Sequence, residues 1–155
     1  IAEENNIKLV AHPDDPPVKN MRGTARLFYR TEEYEKLLDL YDSPSNGFEL
    51  CMGTVQEMEG SNLLDFLDKY SRLDRIGYIH YRNVIGKVPH YREAFVDEGD
   101  INMVKALEIL KNNNYDGIIV PDHTPEMSCD AAWHAGMAFA MGYLKGAMQS
   151  LEIDT

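Results

Sequence analysis

Four short apolar segments, each running into a side chain that can ligate a metal or move a proton, constrain this chain more than any other feature. They are Lys8-Leu-Val-Ala-His12, Gly47-Phe-Glu-Leu-Cys51, Ile76-Gly-Tyr-Ile-His80 and Gly117-Ile-Ile-Val-Pro-Asp122-His123. Short apolar runs bounded by turn residues read as strands buried on both faces, the kind found in parallel sheets. Each is followed by a loop and a helix-like stretch, so the chain reads as four βα units. In the first unit Pro13, Pro16 and Pro17 stop the strand, which leaves His12 at its C-terminal end.

The intervening segments fit that reading. Thr31 with Glu32 and Glu33 predicts a helix start, and Tyr34, Leu37, Leu38 and Tyr41 carry helical spacing. Ser61 or Asn62 is a cap for a second helix with Leu63, Leu64, Phe66, Leu67, Tyr70 and Leu73 inward. Residues 18–30 read as a polar loop holding Arg22, Arg26 and Arg30, and residues 82–99 as a long loop ending in an acidic cluster. Asp100 is expected to cap a helix containing Met103, Val104, Leu107 and Leu110. In the last helix, about 130–151, small residues at 131, 135, 138, 142 and 146 predict close approach to a sheet.

Strand–helix alternation predicts a parallel sheet with helices outside it. In an open doubly wound sheet only strands at the switch point carry ligand chemistry, whereas in a barrel every strand end can. Chemistry at all four ends therefore favours a parallel (β/α)8 TIM-type barrel of which residues 1–155, as one domain, supply half. Ile1 to Asn6 reads as the last turn of a helix entering the first strand, as if the chain begins mid-unit. A lone half-barrel exposes two sheet edges, so a missing half is expected, either in a longer polypeptide or from another subunit, with a homo-oligomer as the working form.

Charge and composition exclude several classes. The formal charge is −11, with 15 basic against 26 acidic residues, which argues against binding nucleic acid through its phosphates. No apolar run approaches the roughly 18 residues of a membrane helix, and the N-terminal residues lack the pattern of a signal peptide. A cytoplasmic protein with no membrane partner is expected. Two cysteines are too few for a disulfide framework.

His12, Cys51, His80 and Asp122 offer two imidazoles, a thiolate and a carboxylate, a set able to hold a first-row divalent ion. Singly, each has an ordinary structural role available; together, at four equivalent strand ends, they point to a metal centre. Such a centre with open positions suits Lewis-acid chemistry on a hydroxy acid or sugar. His123, beside Asp122, is the candidate general acid or base, provided the chain is already turning there. Arg82 can grip a substrate carboxylate in bidentate fashion, with Asn83 beside it; an ion pair with the acidic cluster at 97–100 is the alternative for Arg82.

These motifs resemble the mannonate dehydratase family of hexuronate catabolism. The resemblance rests on His12-Pro-Asp-Asp-Pro-Pro17, Leu50-Cys-Met-Gly-Thr54, His80-Tyr-Arg-Asn-Val84, Phe95-Val-Asp-Glu-Gly-Asp100, Pro121-Asp-His-Thr-Pro125 and Met141-Gly-Tyr-Leu-Lys-Gly146. It spans nearly the whole chain and corresponds to the C-terminal half of such an enzyme. It implies a lyase that uses Mn²⁺ or Fe²⁺ to dehydrate D-mannonate, a small sugar acid, to 2-dehydro-3-deoxy-D-gluconate. It also implies that His12, Cys51, His80 and Asp122 are the metal ligands and that His123 is catalytic. One departure concerns a longer segment that the family pattern places after the Asp-His pair, with a Gly-Tyr just before the last helix whose tyrosine takes part in proton transfer: no tyrosine occurs here between His123 and Tyr143. A sugar isomerase or epimerase on a similar barrel, and a non-catalytic truncated half-barrel, are the competing readings.

Overall fold

The structure is a computed structural model that describes residues 1–153. Strands β1 (Leu9–Ala11), β4 (Asn46–Cys51), β5 (Ile76–His80) and β8 (Ile118–Val120) form one sheet in the order β1-β4-β5-β8, parallel throughout. Between them come α1 (Glu32–Leu40), α2 (Met52–Glu57), α3 (Leu63–Arg72) and α4 (Met103–Asn112), and α5 (Ala132–Ser150) follows β8. Two small antiparallel hairpins, β2 (Asn20–Met21) with β3 (Thr24–Ala25) and β6 (Asn83–Lys87) with β7 (His90–Ala94), stand apart from the sheet. All four apolar segments are therefore strands, and their C-terminal ends lie on one rim.

Alternation along β4 divides its side chains. Phe48 and Leu50 enter an apolar cluster with Tyr34, Phe66, Leu67, Tyr70, Ile76 and Ile79, while Glu49 and Cys51 face away from it. Within the cluster, the Tyr34 ring meets Phe48 edge-on at 4.9 Å and Phe66 at 5.1 Å, packing α1 and α3 onto the sheet. The edge strands are less covered: Leu9 on β1 and Ile118 on β8 are exposed. An eight-stranded barrel would have no such edges.

Register places the rim residues. Phe48 pairs with Ile76, but Leu50 pairs with Ile79 and Cys51 with His80, so β5 contributes one extra residue between the two pairings. Gly77 lies in this irregular stretch, and a Cβ there would come within 2.3 Å of Val10 Cγ1, so only glycine lets β1 approach.

Several local expectations are corrected. Residues 82–99 are not one loop, since they hold the β6–β7 hairpin. The cap of α4 is Asn102, whose side chain accepts from the Lys105 amide, whereas Asp100 accepts from the Gly86 amide and ties the hairpin down. Thr31 occupies the N-cap position of α1 without a side-chain hydrogen bond, while Asn62 does cap α3. The small residues of α5 do not form its buried stripe: Ala131, Ala138, Gly142 and Gly146 are exposed, and the helix packs through Gly136, Ala140, Leu144 and Ala147. No described helix is long and apolar enough to cross a membrane.

Candidate metal centre and its surroundings

His12, Cys51 and His80 follow or end three adjacent strands, and their ligand atoms all lie within 4.8 Å of one another. The two imidazole centroids are 5.3 Å apart. Asp122 comes from the irregular segment just past β8, and its Oδ2 is 3.5 Å from His80 Nδ1. That segment has left strand geometry, so Asp122 and its neighbour His123 can face the same space: His123 Nε2 is 3.3 Å from Asp122 Oδ2.

Glu49 forms the floor of this group and was not among the residues singled out in the sequence. It is fully buried; Oε1 lies 3.2 Å from His80 Nδ1 and Oε2 3.3 Å from His12 Nε2. Oε1 also accepts from the His80 amide at 3.2 Å, but Oε2 has no hydrogen-bond donor. Burial pushes the Glu49 carboxyl up to about 8, and the nearby Asp122 adds to the rise. Desolvation also lowers the pKa of His80, against the upward pull of Asp122.

Cys51 is buried, and burial pushes its thiol up to about 11 even though Thr54 Oγ1 donates to Sγ at 3.1 Å and Arg82 stands nearby. Two imidazoles, a shielded sulfur and a buried carboxyl oxygen with no hydrogen-bond donor converge on one polar pocket. A divalent cation fits that donor set: it would deprotonate the thiol and favour the ionised form of Glu49.

Arg82 and Asn83 are not presented as the sequence reading expected. Arg82 is only 3% exposed and sits among three carboxylates. Nη1 donates to Asp15 Oδ2 at 2.7 Å, Nε and Nη2 donate to Glu93 at 2.9 Å, and Nη2 is 3.0 Å from Glu57 Oε1. Its ion pairs are thus with Asp15 and Glu93, with Glu57 close beside it, and not with the cluster at 97–100. Desolvation works against its charge, but these partners outweigh that and hold its pKa above the usual arginine value. Asn83 is likewise buried: Nδ2 donates to the carbonyls of Val96 and Ile101, and Oδ1 accepts from the Val84 and Ile101 amides. It is a strut between the hairpin and the start of α4.

The parallel βα architecture with ligand side chains on one strand rim defines the class, a half of a TIM-type barrel with the makings of a metal centre. Comparison with known proteins agrees and goes further. The sequence profile described as D-mannonate dehydratase (UxuA) matches residues 1–154, and the chain belongs to this family. It is 32% identical over 160 aligned positions to the mannonate dehydratase of Lactococcus lactis subsp. cremoris, covering 97% of this chain and 44% of that protein. Against mannonate dehydratase 2 of Halalkalibacterium halodurans the identity is 33%, over 79% of this chain and 36% of that protein. The crystal structure of mannonate dehydratase from Streptococcus suis serotype 2 superposes with a TM-score of 0.81 at 26% identity, covering 98% of this chain and 46% of that one. A D-tagatose 3-epimerase-like protein shares the fold, with a TM-score of 0.70 at 22% identity over 97% of this chain and 50% of that one. The chain thus spans less than half the length of the mannonate dehydratases it matches.

Proposed function

We propose that this chain supplies the metal-holding half of a hydro-lyase that converts D-mannonate to 2-dehydro-3-deoxy-D-gluconate and water, in cytoplasmic sugar-acid breakdown. The observation that carries the reading is the convergence of His12, Cys51 and His80 within 4.8 Å, in a chain belonging to the D-mannonate dehydratase family. These three residues and Asp122 would hold the ion, with Glu49 beneath them. A bound Mn²⁺ or Fe²⁺ supplies Lewis-acid polarisation of a substrate oxygen.

The reaction removes a proton from C2 and hydroxide from C3, so it needs a group that moves protons at the mouth of the site. His123 is the side chain placed for that work, half exposed and next to Asp122. Buried Arg82 shapes the site from behind, since its donors are taken up by the protein's own Asp15, Glu93 and Thr54. The substrate carboxylate would then be met by groups from the other half of the barrel, in the same polypeptide or another subunit.

The test is turnover of D-mannonate by Mn²⁺- or Fe²⁺-loaded protein containing the complete barrel. Formation of the 2-dehydro-3-deoxy acid is expected, and no water loss from mannonate would refute the activity. Cys51→Ser should lower retained metal at least about 10-fold after dialysis; unchanged metal content would refute the site.

A further inference from the structure

Glu93 lies on β7, away from the four strand ends, and its carboxylate is fixed from one side. Arg82 Nε donates to Oε1 at 2.9 Å and to Oε2 at 3.1 Å, and Nη2 donates to Oε2 at 2.9 Å. The same guanidinium is anchored to Asp15 at 2.7 Å and lies 3.0 Å from Glu57, so it cannot follow Glu93 if that residue moves. This forked grip leaves Glu93 little rotational freedom.

On its other side, Glu93 Oε2 stands 3.5 Å from His123 Nδ1. His123 sits in the irregular segment after β8, where no regular backbone pairing fixes its ring. Its second nitrogen faces Asp122, which the proposed function assigns to the ion. A histidine that transfers protons needs one nitrogen held, so that tautomer and ring plane are set, and one left for the reacting atoms.

We infer that Glu93 is the positioning residue of His123: locked by Arg82, its carboxylate accepts the Nδ1–H and fixes the ring with Nε2 on the side of Asp122, where the ion and substrate would meet. The chain of contacts is Asp15, Arg82, Glu93, His123, which links the loop after β1 to the proton-transfer group. This inference rests on the reading of His123 as that group. It gives buried Arg82 a task in the reaction although Arg82 does not meet the substrate.

The experiment compares wild type, Glu93→Gln, His123→Asn and the double variant in the complete, metal-loaded enzyme. Glutamine keeps an oxygen toward Arg82 but removes the charge that holds the imidazole. The expected result is a kcat on D-mannonate lowered about 10-fold or more in Glu93→Gln. KM should stay within about twofold and metal content should be unchanged, as for a group acting only on the chemical step. On the His123→Asn background Glu93→Gln should add little, because both changes remove one function. Full kcat in Glu93→Gln, or a loss that multiplies with that of His123→Asn, overturns the inference. If wild type does not dehydrate mannonate, the proposed function falls, and nitrogen NMR of the neutral His123 ring decides this inference separately. The Nδ1–H tautomer should dominate in wild type and give way to Nε2–H in Glu93→Gln; the same tautomer in both overturns it.

Discussion

Glu49 Oε1 stands 3.2 Å from His80 Nδ1, while the other oxygen of the same carboxylate stands 3.3 Å from His12 Nε2. One buried acid thus faces both imidazoles of the candidate metal group. Glu49→Gln keeps the shape and removes the acid that can ionise beside a cation, so affinity for Mn²⁺ or Fe²⁺ should fall by about 10- to 100-fold, the usual range for groups that support metal ligands. Calorimetric metal titration measures this directly.

Arg82 should be more important to stability than a surface arginine. Replacing it by Met leaves Asp15 and Glu93 without their shared cation and removes the partner beside Glu57. The expected loss is about 3–5 kcal/mol, as when one member of a buried ion pair is removed. Arg82→Lys keeps the charge but loses the fork and should fall between the two. Denaturant unfolding of the metal-free protein reads both.

Glu57 gives a pH dependence with a definite sign. Burial pushes its carboxyl up to about 8, against the pull of Arg82. The folded state therefore holds a proton that the unfolded chain releases at ordinary carboxylate pH. Its stabilising contribution is complete below about 4.5 and is lost as pH rises through about 8. Between pH 5 and 8 the metal-free wild type should lose on the order of 1–4 kcal/mol more stability than Glu57→Gln. Thermal unfolding at the two pH values checks the difference.

Asn83 serves four backbone groups, so Asn83→Ala should destabilise by about 2–4 kcal/mol through unsatisfied buried donors and acceptors. Surviving protein should keep its KM, because the side chain does not reach the site mouth. A raised KM at unchanged stability would restore the substrate-binding role expected from the sequence.

The strands and the rim were legible because apolar runs and their punctuation by proline and glycine are local signals. His12, Cys51 and His80 could be read for the same reason, each lying at a run's end. Glu49 was hidden inside the apolar run Gly47–Cys51, although the period of two along a strand puts it on the face of Cys51 and could have revealed it. Arg82 and Asn83 looked available because residues 82–99 read as a loop. In the folded chain Asn83 begins a hairpin strand whose partner brings Glu93 back to Arg82, a contact that depends on pairing across the hairpin. The small residues of α5 failed as a guide to its packing face because four of the five lie on the exposed side.

The irregular pairing of β5 on β4 makes the length of a strand a functional variable. Continued without interruption from Phe48 and Ile76, the pairing would set Cys51 beside Ile79, and His80 would lie one step beyond its partner. The extra residue near Gly77 brings thiol and imidazole to the same level. Deleting one residue between 76 and 79 would make the pairing regular and still leave His80 opposite Cys51. In this family member a gap of one position in that strand should therefore cost metal binding less than the loss of a ligand.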